Sequence, residues 1–484
     1  MTLEIYLTIL GLIAISLATV GVIGLFTVSR IFDKFRTDGL INLIFWPLVI
    51  ANCVAIIFSA RVYSDTSYAF GDHANIMPLA NWFLRATTMG LQGVAGIAIL
   101  YALGKRKFPS GGTFLIIGLA AMFLALALSW VYGVKLYYSF HTTNIFLLML
   151  AVIVTPPIKP ERVVAYFKPM LLLILYGSLI LALVDPAKYI QINYAGLIPG
   201  LNFRLHGLAV HANTLGPIAL MYLLLAHWVP YKRGWQILNT LVGLSVLILA
   251  QSKTTWTVAL IILLVLLAAQ WGRKIQQDLK SPNGGLPTIA TLAVMFGLFG
   301  IVLFYALTGE AARLYDFFGS DKGTTSLTGR TEIWQITYET WEQYPWFGYG
   351  PNLWNVDFRI TRHFLAAGDA HNQYFQSLGE TGILGAFALL LYMSAILFYG
   401  LKFFERTKGI SLAIVLFILV RSLSEVPIKL GLLLDNSFVM HFMVFVILLT
   451  LARAQPTQPR HISKTPLPIE GGSNKIESAQ GLAS

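Results

Sequence analysis

Long apolar runs recur from one end of this chain to the other, and they constrain its fold more than any other feature. Two of them are "TILGLIAISLATVGVIGLFTV" and "GGTFLIIGLAAMFLALALSW". As helices, about thirteen such runs are long enough to cross a hydrocarbon core of about 30 Å. With 56% hydrophobic and only 12% charged residues, the chain is too apolar for a soluble globular protein. The sequence therefore predicts an all-α, polytopic membrane helix bundle with about 12 or 13 transmembrane helices.

Basic residues occur in every second connection between these runs. They are Arg30, Lys34, Arg36, Lys105, Arg106, Lys107, Lys159, Arg162, Lys168, Lys232, Arg233, Arg273, Lys274, Lys402, Arg406 and Lys408. The positive-inside rule places these connections in the cytoplasm. The net charge of +12 is then a signal of topology, and no nucleic-acid partner is expected. We predict a multi-pass protein of the bacterial inner (cytoplasmic) membrane with its functional site on the periplasmic face.

The first run has no preceding positive charge and no small-residue cleavage site, so it is expected to be a retained helix. Two predictions are sensitive to error: the short fifth span near Thr142 to Thr155, and the last pair of spans around "SEVPIKLGLLLDNS". If either is wrong, the amino terminus changes sides.

Five regions follow from this organisation. They are amino-terminal transmembrane helices (1–200), core helices with polar motifs on the outer face (201–305), a large helical periplasmic loop (306–381), carboxy-terminal transmembrane helices (382–453) and a disordered cytoplasmic tail (454–484).

The loop contains an amphipathic helix. Apolar positions recur at helical spacing from Thr328, a candidate N-cap, until Pro345 ends the pattern. Arg330 then lies in the first turn, where a cation opposes the helix dipole unless an anion shares the position. Arginine beside free backbone N–H groups favours a phosphate site. The alternative is pairing with Glu332 or contact with lipid headgroups.

Further along the loop, "GDAHNQYFQSLGETGILG" begins an outer helix that continues into a membrane span. His371 would lie close to the membrane surface, where histidine is the side chain best suited to take a proton near neutral pH. Asp369 is near enough to orient it. The alternative is a surface histidine that caps a helix.

Other polar residues are expected on the same face. "NFRLHGLAVHANTLG" places Arg204, His206, His211 and Asn213 at or just below the surface, where polar groups need a partner or a water-filled cavity. Asn213 could instead bond between helices. Lys253, in the tight turn "AQSKTTW", would complete a cationic pocket with Arg204 and Arg330, or its side chain would extend to the lipid headgroups.

Several residues are candidate contacts for an acceptor or glycan, and others are weaker candidates on the same face. The contacts are His211, Asn213, Trp334, Trp354 and Asn372, and the weaker candidates are Arg61, His73, Arg421 and Lys429. Aromatic residues in "YPWFGYGPNLW" would stack on a sugar or anchor the loop at the interface.

Motifs that are missing narrow the chemistry. Cys53 is the only cysteine, so there is no intramolecular disulfide and no thiolate metal site. The chain also has no Asp/Glu-x-Asp/Glu pair, no P-loop, no HExxH and no GxSxG. We expect chemistry based on cations and a base, without a metal or other cofactor.

Five motifs in order resemble the O-antigen ligase and polymerase superfamily of bacterial membrane glycosyltransferases. They are "RLHGLAVHANTLG", "QSKTTWTVALIILL", "SLTGRTEIW", "PWFGYGPNLW" and "HNQYFQSLGETGILG", within about Asn202 to Tyr392. The resemblance implies a GT-C-like helical fold that transfers glycan from undecaprenyl diphosphate to an acceptor hydroxyl. By motif, it makes Arg330 and Lys253 diphosphate ligands and His371 the catalytic base, and Arg204 would join the two cations.

Where this chain has Lys253, the ligase branch more often has arginine, which alone can bind a diphosphate through a bidentate fork. The "SKT" and "GYGPNLW" segments are more similar to the exopolysaccharide-polymerase branch. The predicted function is therefore polymerisation of the repeat units of a surface polysaccharide by a metal-independent, inverting glycosyltransferase. The partners would be the lipid-linked oligosaccharide, a glycan or lipid acceptor, and chain-length regulator and export proteins.

Three other functions are left open by the sequence. One is ligation of the glycan to lipid A core or to a protein. The second is transport of lipid-linked glycan, although internal repeats and midplane charges typical of transporters are not evident. The third is a non-catalytic scaffold for envelope assembly.

Overall fold

The computed structural model describes residues 37–59, 77–105, 108–134, 138–194, 198, 200–279, 327–351, 353–362, 364 and 367–454. Almost all of these residues are helical or lie in short connections between helices, which confirms the all-α membrane bundle. The predicted first span, the predicted span before residue 306, Arg61, His73 and the tail from 455 lie outside the described residues.

The helices and strands are numbered here in chain order. They are α1 Thr37–Ile57, α2 Pro78–Lys105, α3 Thr113–Tyr132, α4 Phe140–Val154, α5 Pro160–Val184, α6 Pro186–Tyr189, β1 Ile190–Ile192, β2 Phe203–Leu205, α7 Ala212–Trp228, α8 Arg233–Leu249, α9 Lys253–Leu279, α10 Leu327–Gln343, α11 Val356–Thr361, α12 Gln373–Lys402, α13 Ile410–Arg421 and α14 Asn436–Arg453.

Among the described residues, 7 helices are long and apolar enough to cross a membrane: α1, α2, α3, α5, α9, α12 and α14. Three shorter apolar helices, α4, α8 and α13, lie among them. Polar caps define where several of these helices begin. The side chain of Ser139 accepts from the backbone N–H of Thr142 at the start of α4, and Asp435 accepts from Ser437 and Phe438 at the start of α14. The protein is therefore a multi-pass membrane protein.

Close backbone packing holds the bundle together. Nearly every residue of α14 is buried, so this helix is central. Helix α12 packs tightly along α3, where a Cβ added at Gly118 would lie 2.8 Å from Cα of Tyr392. Such small residues allow helices to approach closely in lipid, where packing and not water exclusion drives association.

The helix ends that carry basic residues meet at one end of the bundle. Arg453 donates from Nε to the carbonyl of Gly111 at 3.4 Å and from Nη1 to that of Thr155 at 3.5 Å. At the opposite end lie α6, the two short strands, α10 and α11. Strands β1 and β2 pair antiparallel with Gln191 opposite Arg204, which is a detail that the sequence does not predict.

The predicted amphipathic helix is present as α10, Leu327–Gln343. Thr328 lies inside this helix and not before it, so its predicted N-cap role is wrong. Arg330 nevertheless lies near the described start of the helix, on the same end of the bundle as the start of α12.

Candidate active site

Glu425, in the connection between α13 and α14, lies at the centre of a cluster of charged groups. Its Oε1 accepts from Nδ2 of Asn213 at 2.9 Å and lies 3.5 Å from Nη2 of Arg330. Its Oε2 lies 3.6 Å from Nδ1 of His371. One carboxylate thus brings together three residues that the sequence analysis singled out separately.

His371 lies just before α12 in a backbone conformation that is unusual for a residue with a side chain, with φ of 46°. The carboxylate of Asp369 accepts from the backbone N–H of His371 at 2.9 Å. Since this geometry belongs to a loop and not to a helix, Asp369 also comes within 3.5 Å of Nδ1. Strained backbone of this kind is typical of functional sites, where surrounding contacts maintain it.

The imidazole of His371 is oriented by these two carboxylates. Both distances to Nδ1 are too long for a normal hydrogen bond, so the contacts are electrostatic. With Nδ1 facing Asp369 and Glu425, the other ring nitrogen, Nε2, makes no hydrogen bond within the described part of the chain. Nε2 is the atom left to meet a substrate.

Lys429 closes the cluster on the far side of Asp369. Its ammonium lies 3.0 Å from Oδ2 of Asp369 and 3.7 Å from Oδ2 of Asp435. Asp435 is itself fixed as the cap of α14. Lys429 therefore neutralises two carboxylates and has little charge left for another anion.

Arg330 is the cation with unused donors. Its side chain is 15% exposed, and its only ion pair among the described residues is the long contact with Glu425. Its Nε is buried and has no hydrogen-bond partner there. Since a guanidinium carries five N–H donors, this one has capacity to bind an anion.

Arg204 is more fully occupied. It is buried, and its Nε donates to the carbonyl of Ala250 at 2.9 Å, while Nη2 donates to the side-chain oxygen of Asn213. Asn213 also accepts from Ser252 at 3.2 Å and donates to Glu425. Arg204 thus supports the cluster from below, through Asn213, in this state of the protein.

Lys253 is the first residue of α9 and is half-buried. Its neighbours on either side both reach the cluster: Ser252 bonds Asn213, and Oγ1 of Thr254 accepts from Ser424 at 3.3 Å. The turn that carries Lys253 therefore lies beside Glu425.

The residues predicted to contact the acceptor make contacts within the protein itself. Trp334 donates to the carbonyl of Ala370 at 2.9 Å and stacks on Phe375, which holds the His371 loop against α10. Asn372 caps α12 and donates to Leu423 at 3.0 Å. His211 caps α7. Trp354 is buried and lines a cavity described below.

Electrostatics favour a charged His371. Burial would lower the pKa of His371, but the negative charges of Asp369 and Glu425 raise it overall, with Arg330 opposing them. Burial would raise the pKa of Glu425, yet the interaction with His371 and the charge of Arg330 keep it lowered. Likewise, Lys429 and His371 outweigh burial and lower the pKa of Asp369. These shifts favour the ionised form of both carboxylates and make the imidazole more basic than that of an ordinary histidine.

Glu425 is the residue that the sequence analysis missed, and Lys429 and Arg421 were only weak candidates. Arg421 is buried and donates to the carbonyl of Asn213 at 3.3 Å. The sequence did contain a signal: the segment "RSLSEVPIKLGLLLDNS" places four ionisable residues at and between the ends of two apolar helices. Ionisable groups at that depth are functional candidates.

Residues 238–390 match a family model described as O-Antigen ligase. The match covers less than half of the chain and supports its resemblance to the O-antigen ligase and polymerase superfamily over that region. Members of that family are glycosyltransferase-like enzymes that act on lipid-linked glycans. The matched region contains Lys253, Arg330, Asp369 and His371, whereas Arg204, Glu425 and Lys429 lie outside it. No curated protein matches the chain.

Proposed function

We propose that this protein is a periplasmic-face glycosyltransferase that polymerises the repeat units of a surface polysaccharide. The donor is a glycan on undecaprenyl diphosphate, and the acceptor is a hydroxyl group of another lipid-linked repeat. The observation that carries the proposal is the meeting of Arg330, which has unused donors, with His371 across Glu425.

In the proposed reaction, the acceptor oxygen forms a bond to the anomeric carbon as the bond from that carbon to the phosphate oxygen breaks. The electron pair leaves with undecaprenyl diphosphate, and the acceptor proton moves to Nε2 of His371. A single displacement inverts the anomeric centre. Asp369 and Glu425 stabilise the imidazolium that results.

The leaving diphosphate needs charge stabilisation and not a proton. Arg330 supplies donors directly, and Lys253 lies on the adjoining turn. Arg204 acts through Asn213 in the described state. Since cations do this work, we expect activity of the purified protein to survive removal of divalent metal by a chelator.

The test is the size of the glycan in a deletion strain complemented with wild type, Arg330→Ala or His371→Ala. Arg362→Ala is the matched control, because Arg362 belongs to the same outer segment but lies 3.9 Å from Glu339, outside the cluster. Each variant is quantified in membranes by immunoblot.

For a polymerase, the two cluster variants accumulate single repeat units on the lipid carrier, while Arg362→Ala makes full-length chains. The name of the matched family favours ligation as the second candidate. If the protein is a ligase, the two cluster variants instead accumulate long chains on the carrier, because these chains are not transferred to a lipid or protein acceptor. If both cluster variants match wild type at normal protein levels, the catalytic proposal fails and a scaffold role is favoured.

A further inference from the structure

A cavity of about 210 Å³ lies next to the cluster, between α3, α4, the outer part of α12 and the connection after α13. Asp369 and Lys429 belong both to its wall and to the cluster around His371. Ala125, on its α3 side, lies about 10 Å along the helix from the outer end of α3. The cavity thus reaches below the outer surface beside the reaction centre.

The polar wall of this cavity presents donors. Gln373 and Gln376 are buried, and each uses its side-chain oxygen to accept a backbone N–H, from Ile428 at 2.9 Å and from Ala370 at 2.7 Å. Their amide nitrogens make no hydrogen bond within the described ranges. Trp354 also lines the cavity, and its buried indole nitrogen has no hydrogen-bond partner among the described residues. Buried donors of this kind normally have a partner.

The charges of the wall exclude an anion. Of the described residues that line the cavity, Lys429 is the only lysine or arginine, and it is neutralised by Asp369 and Asp435. Glu380 adds a further carboxylate. A phosphate would therefore meet net negative charge and no unpaired cation.

The opposite wall is apolar, with Met122, Ala125 and Leu126 from α3. An isoprenoid chain would fit that wall but would leave the glutamine amides unsatisfied. A pyranose ring has hydroxyl groups at its rim and an apolar face. The cavity volume of about 210 Å³ leaves room for such a ring.

We propose that this cavity is a monosaccharide subsite that binds one neutral sugar ring of the substrate glycan through the amides of Gln373 and Gln376. It rests on the proposed function for the identity of the substrate. The sugar belongs either to the donor, beside the diphosphate, or to the end of the acceptor glycan.

The test is binding of two probes to the full-length protein in nanodiscs. One probe is the strain's own repeat oligosaccharide, released from its carrier by mild acid, and the other is the intact lipid-linked repeat. Ala125→Leu fills the cavity, and Ala120→Leu is the matched control, since Ala120 lies on the same helix but is exposed. Gln376→Glu keeps an acceptor for Ala370, removes the amide donor and adds a negative charge to the wall.

We expect Ala125→Leu to weaken binding at least tenfold and Gln376→Glu several-fold, with Ala120→Leu like wild type. If the free oligosaccharide shows these losses, the subsite holds the acceptor sugar. If only the lipid-linked repeat shows them, it holds the donor sugar. Inorganic pyrophosphate should not displace the free oligosaccharide.

The proposal is overturned if wild type binds neither probe, or if both Ala125→Leu and Gln376→Glu bind as wild type does. Failure of the proposed function gives a different pattern: binding is lost in these variants, yet Arg330→Ala and His371→Ala strains make normal glycan. Thermal unfolding of each variant separates loss of binding from loss of fold.

Discussion

At the scale of single residues, the surroundings of His371 decide when it can accept a proton. Only neutral imidazole is a base, and the carboxylates of Asp369 and Glu425 raise the pKa of His371 above its ordinary value of 6.5. The rate should therefore rise with pH through this elevated pKa. Initial rates measured from about pH 5 to about 9 would show this dependence. The rise in rate should occur at a higher pH than the pKa of free histidine predicts.

Replacing one of the carboxylates tests this assignment. Glu425→Gln removes a negative charge near Nδ1 but keeps an oxygen that can accept from Asn213. The pKa of His371 should fall, and the acidic limb should move to lower pH. Glu339→Gln is the control, because Glu339 lies on the exposed side of α10 beside Arg362. An unmoved limb in Glu425→Gln would mean that another group is the base.

Arg330 should contribute to the rate more than to substrate affinity. Charge on the diphosphate grows as the glycosidic bond breaks, so a cation at this position acts mainly in the transition state. We expect Arg330→Ala to lower turnover about 10²–10³-fold, as when an oxyanion-hole donor is removed, with a smaller change in KM. Arg330→Lys should recover part of the loss, since lysine keeps the charge without the fork. Purified protein with lipid-linked donor gives both constants.

At the scale of elements, a break in α12 holds the outer loop in place. Gly382 has φ of 65° and ψ of −159°, so the helix is interrupted there. The N–H of Ile383 donates to Pro345 at 2.8 Å, and the carbonyl of Gly379 accepts from Tyr349 at 2.8 Å. The aromatic turn after α10 is thus bonded to the helix that begins beside His371.

Gly382→Ala should loosen this attachment. A Cβ at Gly382 would lie 2.5 Å from the carbonyl of Trp346, and the left-handed conformation is itself unfavourable for alanine. We expect a loss of about 1–3 kcal/mol or more in stability and a lower rate, because α10 would no longer hold Arg330 in register. Gly96→Ala, in open space on α2, should change neither. Thermal unfolding and activity in the same detergent would measure both effects.

The sequence predicts elements better than the contacts between them. Apolar periodicity locates α10 to within two residues of its observed ends, and "HNQ" marks the start of α12. The cluster is less predictable because Glu425 reaches His371 only after the chain has crossed the membrane twice, through α12 and α13. The break at Gly382 is equally hard to predict, because a glycine within a helical segment does not by itself indicate a positive φ.

At the scale of the whole molecule, the charges that set topology and those that form the cluster occupy opposite ends of the bundle. Lys105, Lys159, Lys232 and Arg453 lie at one end of their helices, and Asn213, His371 and Glu425 lie at the other. Because helices of alternating direction connect the two ends, the sidedness of one connection fixes that of all those described. The positive-inside rule then predicts that the cluster faces the periplasm.

Thiol labelling tests this orientation directly. Cys53 is the only cysteine and is buried, so a Cys53→Ala background carries no competing thiol. In that background, E332C introduces a thiol on the exposed side of α10, and K232C introduces one at the basic end of α8. A membrane-impermeant maleimide applied to intact spheroplasts should label E332C, and it should label K232C only after permeabilisation. The reverse pattern would place His371 and Arg330 in the cytoplasm, out of reach of a donor on the periplasmic leaflet, and would require a different reaction for the cluster.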